Sequence, residues 1–157
     1  MKAATLHELK KELQISSSGH IVDVCLRLIK YKKENKELLT YLLFEAQDEA
    51  SYIKGIKEDI DEQFKELNTS NLYVTKKGLQ KIVRTTSKYI KYSGIRQTEI
   101  ELLLYFCLKV KKSSIKIHQS TVITNLYQRQ IAKIEKAISF LHEDLQYDYQ
   151  QELDTLY

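Results

Sequence analysis

Proline and tryptophan are absent from this chain of 157 residues, glycine occurs four times and cysteine twice. Without proline to break a helix and with few glycines to turn one, helices can run long. The shortage of glycine also leaves no phosphate-cradling loop and no nucleophile elbow. Cys25 and Cys107 each sit within an apolar run. They read as buried free thiols, which points to a reducing compartment and a cytoplasmic location. There the sequon Asn68-Thr69-Ser70 has no chemical consequence. No uncharged apolar run approaches the ~20 residues of a membrane span. The longest candidate, Ile100 to Val110, contains Glu101 and Lys109. The opening Met1-Lys2-Ala3-Ala4-Thr5-Leu6-His7-Glu8 has no apolar core of signal-peptide type. Neither a membrane association nor a leader is expected.

What is present is helical periodicity almost from end to end. Apolar residues make up 43% of the chain, enough for a packed core. Leu6, Leu9 and Leu13 share one face of a first helix over about 5–14, broken at Ser16-Ser17-Ser18-Gly19. A second, over about 20–33, presents Ile21, Val24, Cys25, Leu28 and Ile29. Asn35 is placed to cap a third. That third helix is expected to be long, because Leu39, Leu42, Leu43, Ala46, Ala50, Ile53, Ile56, Ile60, Phe64 and Leu67 keep a three-and-four spacing, with a kink near Gly55. The fourth spans about 71–92 and ends at Ser93-Gly94, with Leu72, Leu79, Ile82, Val83, Thr86 and Ile90 inward. The fifth starts at Thr98, which with Glu101 forms a T-x-x-E capping box, and closes at Lys111-Lys112-Ser113-Ser114. The last runs from about Ser120 to Leu153 on a stripe from Ile123 through Tyr149.

The expectation is therefore an all-α domain over 1–157. It has about six helices, two of them long, packed as a bundle or a short helical-hairpin array, with 20–68 and 71–153 as sub-units. One internal echo bears on the second arrangement. Ile29-Lys30-Tyr31 followed by Glu37-Leu38-Leu39-Thr40-Tyr41 parallels Ile90-Lys91-Tyr92 followed by Glu101-Leu102-Leu103-Leu104-Tyr105. A duplicated helical hairpin and a coincidence between leucine-rich helices both fit it, and two units are fewer than the usual three.

The net charge of +4 conceals segregation. Residues 71–136 hold 14 Lys/Arg against 3 Asp/Glu. Residues 45–66 hold 8 acids against 3 lysines, and residues 137–157 hold 5 acids and no base. On the fourth helix Lys77, Lys81, Arg84, Lys88 and Lys91 fall within about 80° of arc at 3.6 residues per turn, flanked by Tyr73 and Tyr92. Such a face is a solvated surface partly neutralised by neighbouring acids, a track for nucleic-acid phosphates with tyrosines to stack bases, or a dock for an acidic protein.

Catalytic chemistry has little to stand on. No histidine has a Glu three residues before it, as di-iron bundles require. His20 with Asp23 is a two-ligand pair, short of the three or four a transition metal usually takes. His142 lies beside Glu143 and Asp144 on a helix surface. The pairs Glu45/Glu49 and Glu58/Glu62 sit one turn apart, but acid–base work needs one member desolvated, and their neighbourhood is densely polar. No metal, cofactor or catalytic residue is assigned.

Two resemblances can be drawn. Leu6-His7-Glu8-Leu9-Lys10-Lys11-Glu12-Leu13, with Ser18-Gly19 and Leu26-Arg27-Leu28, resembles the SAP motif, a short helix-turn-helix DNA-binding module. The linker is shorter than that pattern and the lysine after Ser-Gly is missing. The stretches Cys25 to Leu28, Lys33 to Leu39 and Lys88 to Gly94 resemble uncharacterised helical proteins of bacterial origin, a resemblance that implies no activity. The function read from the sequence is a non-enzymatic binding or scaffold protein. Nucleic-acid binding through the fourth helix is the alternative, and a carboxylate-based helical enzyme comes third.

Overall fold

A computed structural model describes all 157 residues. It is 80% helical and contains no strand, so the chain is all-α. Eight α-helices replace the expected six: α1 (Leu6–Ile15), α2 (Ser18–Tyr31), α3 (Lys33–Thr40), α4 (Glu49–Lys65), α5 (Leu72–Ser93), α6 (Arg96–Lys112), α7 (Thr121–Ile138) and α8 (Glu143–Asp154). A π-helical turn, Tyr41–Glu45, and a 3₁₀ turn, Ile117–Gln119, complete the regular structure. The extra helices come from breaks in the two that were expected to be long. The first break lies between α3 and α4, where Asp48 accepts a hydrogen bond from the Ser51 N–H at 3.1 Å and starts a new helix. The second is Ser139-Phe140-Leu141-His142, between α7 and α8. Gly55 sits inside α4.

Three local expectations are also corrected. Asn35 does not cap; it lies within α3, and its Nδ2 reaches back to the Leu28 carbonyl at 2.8 Å. The N-cap of α3 is Lys32, three residues before Asn35, in extended backbone. Thr98 and Glu101 form no capping box, because α6 begins two residues earlier at Arg96. The Thr98 hydroxyl donates instead to Glu49. The two halves of the E-L-L-x-Y echo take different structures. Glu37–Phe44 runs from α3 into the π-helical turn, whereas Glu101–Leu108 lies wholly within α6.

The chain divides into two compact units, 1–44 and 45–157. The first holds α1 to α3. Thr5 and Glu8 form a reciprocal capping box on α1, and Ser17 caps α2. α2 packs on α3. No residue before Tyr41 is fully buried.

The second unit is built around α6. Ile100, Leu102, Leu103, Leu104, Phe106, Cys107 and Val110 are all buried. Consecutive buried positions cannot lie on one face of a helix, so α6 is enclosed on several sides. α4, α5, α7 and α8 each pack against it. α4 also meets α5, α5 meets α7 and α7 meets α8, which gives an open ring in the order α4–α5–α7–α8 around α6. Ile60 of α4, Leu79 and Ile82 of α5, Ile123 and Ile134 of α7 and Leu153 of α8 point inward. Gly78 of α5 lies against Leu67, and a Cβ there would collide with Leu67 Cδ1. Gly94 ends α5 at φ +67°, the left-handed conformation that glycine adopts without strain.

Ile60→Ala and Ile134→Ala should each destabilise the protein by about 2–5 kcal/mol, and Phe106→Ala by about 3–5 kcal/mol. Gly94→Ala should lose about 1–2 kcal/mol through its backbone conformation. Urea denaturation followed by circular dichroism measures all four. Losses near zero at Ile60 and Phe106 would place the core elsewhere.

Candidate nucleic-acid interface

α5 carries the basic face, and its neighbours determine what that face meets. Asn71 starts the helix by accepting from the Tyr73 N–H at 2.8 Å. The buried Thr75 hydroxyl donates to the Asn71 carbonyl at 2.9 Å. Thr75, Leu79, Ile82 and Thr86 bury the inward side, opposite the cations. The Tyr52 hydroxyl of α4 donates to the Tyr89 carbonyl at 3.0 Å and ties α4 to α5.

Lys77, Lys81, Arg84 and Lys91 are exposed along the outward side. None of the four has a carboxylate within 4.0 Å. Lys88 differs. It is half-buried, and its ammonium lies 5.0 Å from the Tyr89 ring and 5.9 Å from the Tyr92 ring. Tyr92 is half-buried and meets Tyr89 edge-on at 6.2 Å. Tyr73 is 57% exposed, with Lys77 at 4.5 Å and Lys76 at 5.2 Å from its ring. The face is therefore four cations without a carboxylate partner, one of them, Lys77, over the exposed Tyr73 ring, with Lys88 and Tyr92 drawn into a tyrosine cluster. From Lys77 to Lys91 it is about 21 Å long at about 1.5 Å per residue.

Two acids of α4, Glu49 and Asp61, are held by residues of α6, and one acid of α6, Glu101, is held by Lys57 of α4. Lys57 meets Glu101 at 3.1 Å, and Lys109 meets Asp61 at 2.9 Å. Tyr105 donates to Asp61 at 2.7 Å. Glu49 accepts from both Ser93 and Thr98. Burial pushes the Asp61 carboxyl up, but the hydrogen bonds from Lys109 and Tyr105 and the Lys109 charge outweigh it, so Asp61 titrates below its ordinary value. Burial and then Asp61 hold the Tyr105 phenol up to about 12, which keeps it a donor.

α7, the ring neighbour of α5, carries a second stripe that the sequence reading left unassigned. Arg129, Lys133 and Lys136 are exposed, without a carboxylate within 4.0 Å, and span about 60° of arc. The signal available was the excess of bases over 71–136, which covers both helices. Their four-and-three spacing is the same device as on α5.

The other candidates do not come together. His20 and Asp23 are both exposed on α2. No group of three or more His, Cys, Asp or Glu side chains is arranged to hold a metal ion. Glu45 lies in the π-helical turn and Glu49 begins α4, so they do not share a helix face. Glu58 is exposed, and Glu62 pairs with Lys65 at 2.6 Å on the surface. His142 precedes α8, with Nδ1 3.5 Å from Asp144. Cys107 is buried, and burial pushes its thiol up to about 12, far from a reactive thiolate. Cys25 is a half-exposed free thiol. A groove of about 570 Å³ between α4 and α8 has Leu104, Leu108, Leu145 and Leu156 in its wall and Asp148 and Glu152 at its edge, with no nucleophile and base in reach of each other.

No protein-family model, curated protein or solved structure matches this chain. No helix is long and apolar enough to cross a membrane.

The lowered Asp61 value sets a pH dependence. A carboxyl lowered in the folded state stabilises above its unfolded pKa, and that contribution is lost as pH falls through the folded value. Both partners are a third exposed, so the effect should stay below about 1 kcal/mol. Asp61→Asn should flatten the acid side of the stability–pH curve. An unaltered acid side in chemical denaturation from neutral pH down would remove Asp61 from that account.

Proposed function

We propose that this is a non-enzymatic binding protein whose α5 face engages the phosphate backbone of a nucleic acid. One observation carries the reading: Lys77, Lys81, Arg84 and Lys91 lie on one helix face with no carboxylate partner. Like charges a turn apart repel by some tenths of a kcal/mol per pair. With no carboxylate beside them, these cations retain that repulsion until an external anion relieves it. α7, which packs on α5, carries Arg129, Lys133 and Lys136 as a second exposed basic stripe. Tyr73, open and bracketed by two lysines, suits the face of a base. The two free thiols fit a reducing, cytoplasmic setting. An acidic protein is the competing partner.

The reading is tested by fluorescence anisotropy with a labelled single-stranded oligonucleotide across a salt series. Affinity should fall with a log–log slope of about −0.7 per phosphate neutralised. Replacing Lys81, Arg84 and Lys91 together by glutamine retains helix propensity and should flatten the slope by about 2. Lys65→Gln, which removes a cation already paired with Glu62, should leave it unchanged. Absence of binding at low salt by the parent protein, with capture of an acidic protein that the triple variant loses, would transfer the face to a protein partner.

A further inference from the structure

The first unit leaves its apolar surface open. Besides Met1, eleven large apolar side chains among residues 1–44 are 44% to 84% exposed, Leu6 the most. Every residue of α1 is exposed, including its stripe Leu6, Leu9 and Leu13. α1 joins α2 through Ser16 and Ser17, both in extended backbone. Beside that unseated helix, α2 and α3 form a groove of about 220 Å³ lined by Cys25, Leu28, Ile29, Leu38, Leu39 and Leu42. One small unit thus presents an apolar ridge and an apolar groove, and the ridge occupies no site.

We propose that two copies of this chain associate through their first units, α1 of each seated in the α2–α3 groove of the other. The exchange is reciprocal, so a two-fold axis closes it without leaving an unfilled groove. The area fits. The exposed apolar side chains that this contact covers are Leu6, Leu9 and Leu13 of the ridge and Leu28 and Leu42 of the groove. At roughly 100 Å² apiece they give about 500 Å² of apolar surface, in line with an interface of ~800 Å² per partner that is a little over half apolar. The size of the unit points the same way, since folded units near 40 residues usually require oligomerisation, disulfides or metals. Its two thiol-free helices α1 and α3 and its single Cys25 provide no disulfide within the unit. This inference does not depend on the basic face of α5.

Light scattering on the full chain should give twice the 18.5 kDa chain mass at micromolar concentration. Leu9→Glu with Leu13→Glu should give a monomer with the same far-ultraviolet circular dichroism, since both side chains are already exposed. A covalent test identifies the seat. Leu6→Cys, Leu9→Cys and Leu13→Cys are made singly and oxidised, with Cys107 buried out of reach. At least one should form a disulfide-linked dimer, and adding Cys25→Ser should abolish it. A parent protein that is monomeric throughout overturns the proposal. So does a disulfide closing only within one chain, or a linked dimer that persists without Cys25.

Discussion

The enclosure of α6 is the constraint on which the second unit depends. A helix with apolar residues on several sides is stable only when other helices cover them, and α6 leaves the strip of Glu101, Tyr105, Lys109 and Lys112 partly open. Four helices cover the rest, and each contributes a face that is apolar toward α6 and polar outward. α6 therefore dictates that α4, α5, α7 and α8 be amphipathic, and it orients them. The cations of α5 point outward because Thr75, Leu79, Ile82 and Thr86 are required inside. Truncating a side chain of α6 would loosen several contacts together, whereas truncation on a ring helix loosens mainly its own seat.

The all-α class was legible in the sequence because periodicity and the lack of proline agreed at every level. The two breaks were not, because neither contains glycine or proline and the apolar spacing continues across both. Leu42 and Leu43 hold the helical register yet remain exposed. Phe140 is exposed beside a stripe that would bury it. One signal was present and ambiguous. Both new helices open on acids, Asp48-Glu49 and Glu143-Asp144, as suits the positive end of a helix dipole. In a chain with acids throughout these segments, such pairs read equally well as surface charge. Thr98 with Glu101 erred the other way. The motif matched a capping box, but tertiary demand placed Thr98 in the core to serve Glu49.

The candidate interface was legible as a charge pattern and incomplete as a site. Spacing alone fixed Lys77, Lys81, Arg84 and Lys91 on one face. It could not show that Lys88 turns onto two tyrosines, since that depends on Tyr89 and Tyr92 at short range. Nor could it show where the acids point, because Lys57–Glu101 and Lys109–Asp61 join residues more than forty positions apart. The α7 stripe was unrecognised because Glu135 interrupts its sequence, although at 100° per residue Glu135 falls off the face that Arg129, Lys133 and Lys136 share.

Charge and burial divide differently between the two units. In the ring of the second unit, α5 and α7 carry net positive charge and sit side by side, while α4 and α8 carry net negative charge. The apolar core around α6 can sustain such segregation, since each like-charge contact costs only tenths of a kcal/mol and each buried isoleucine or leucine contributes about 1.5–3 kcal/mol. The first unit has no comparable reserve. Its helices are fixed by the Thr5–Glu8 capping box and the Ser17 cap, each worth about 1 kcal/mol. Ordering its backbone costs roughly 1–2 kcal/mol per residue. Caps alone do not offset that cost over forty residues. The balance must come from apolar contact, and the unit's exposed leucines are the means it has of making it.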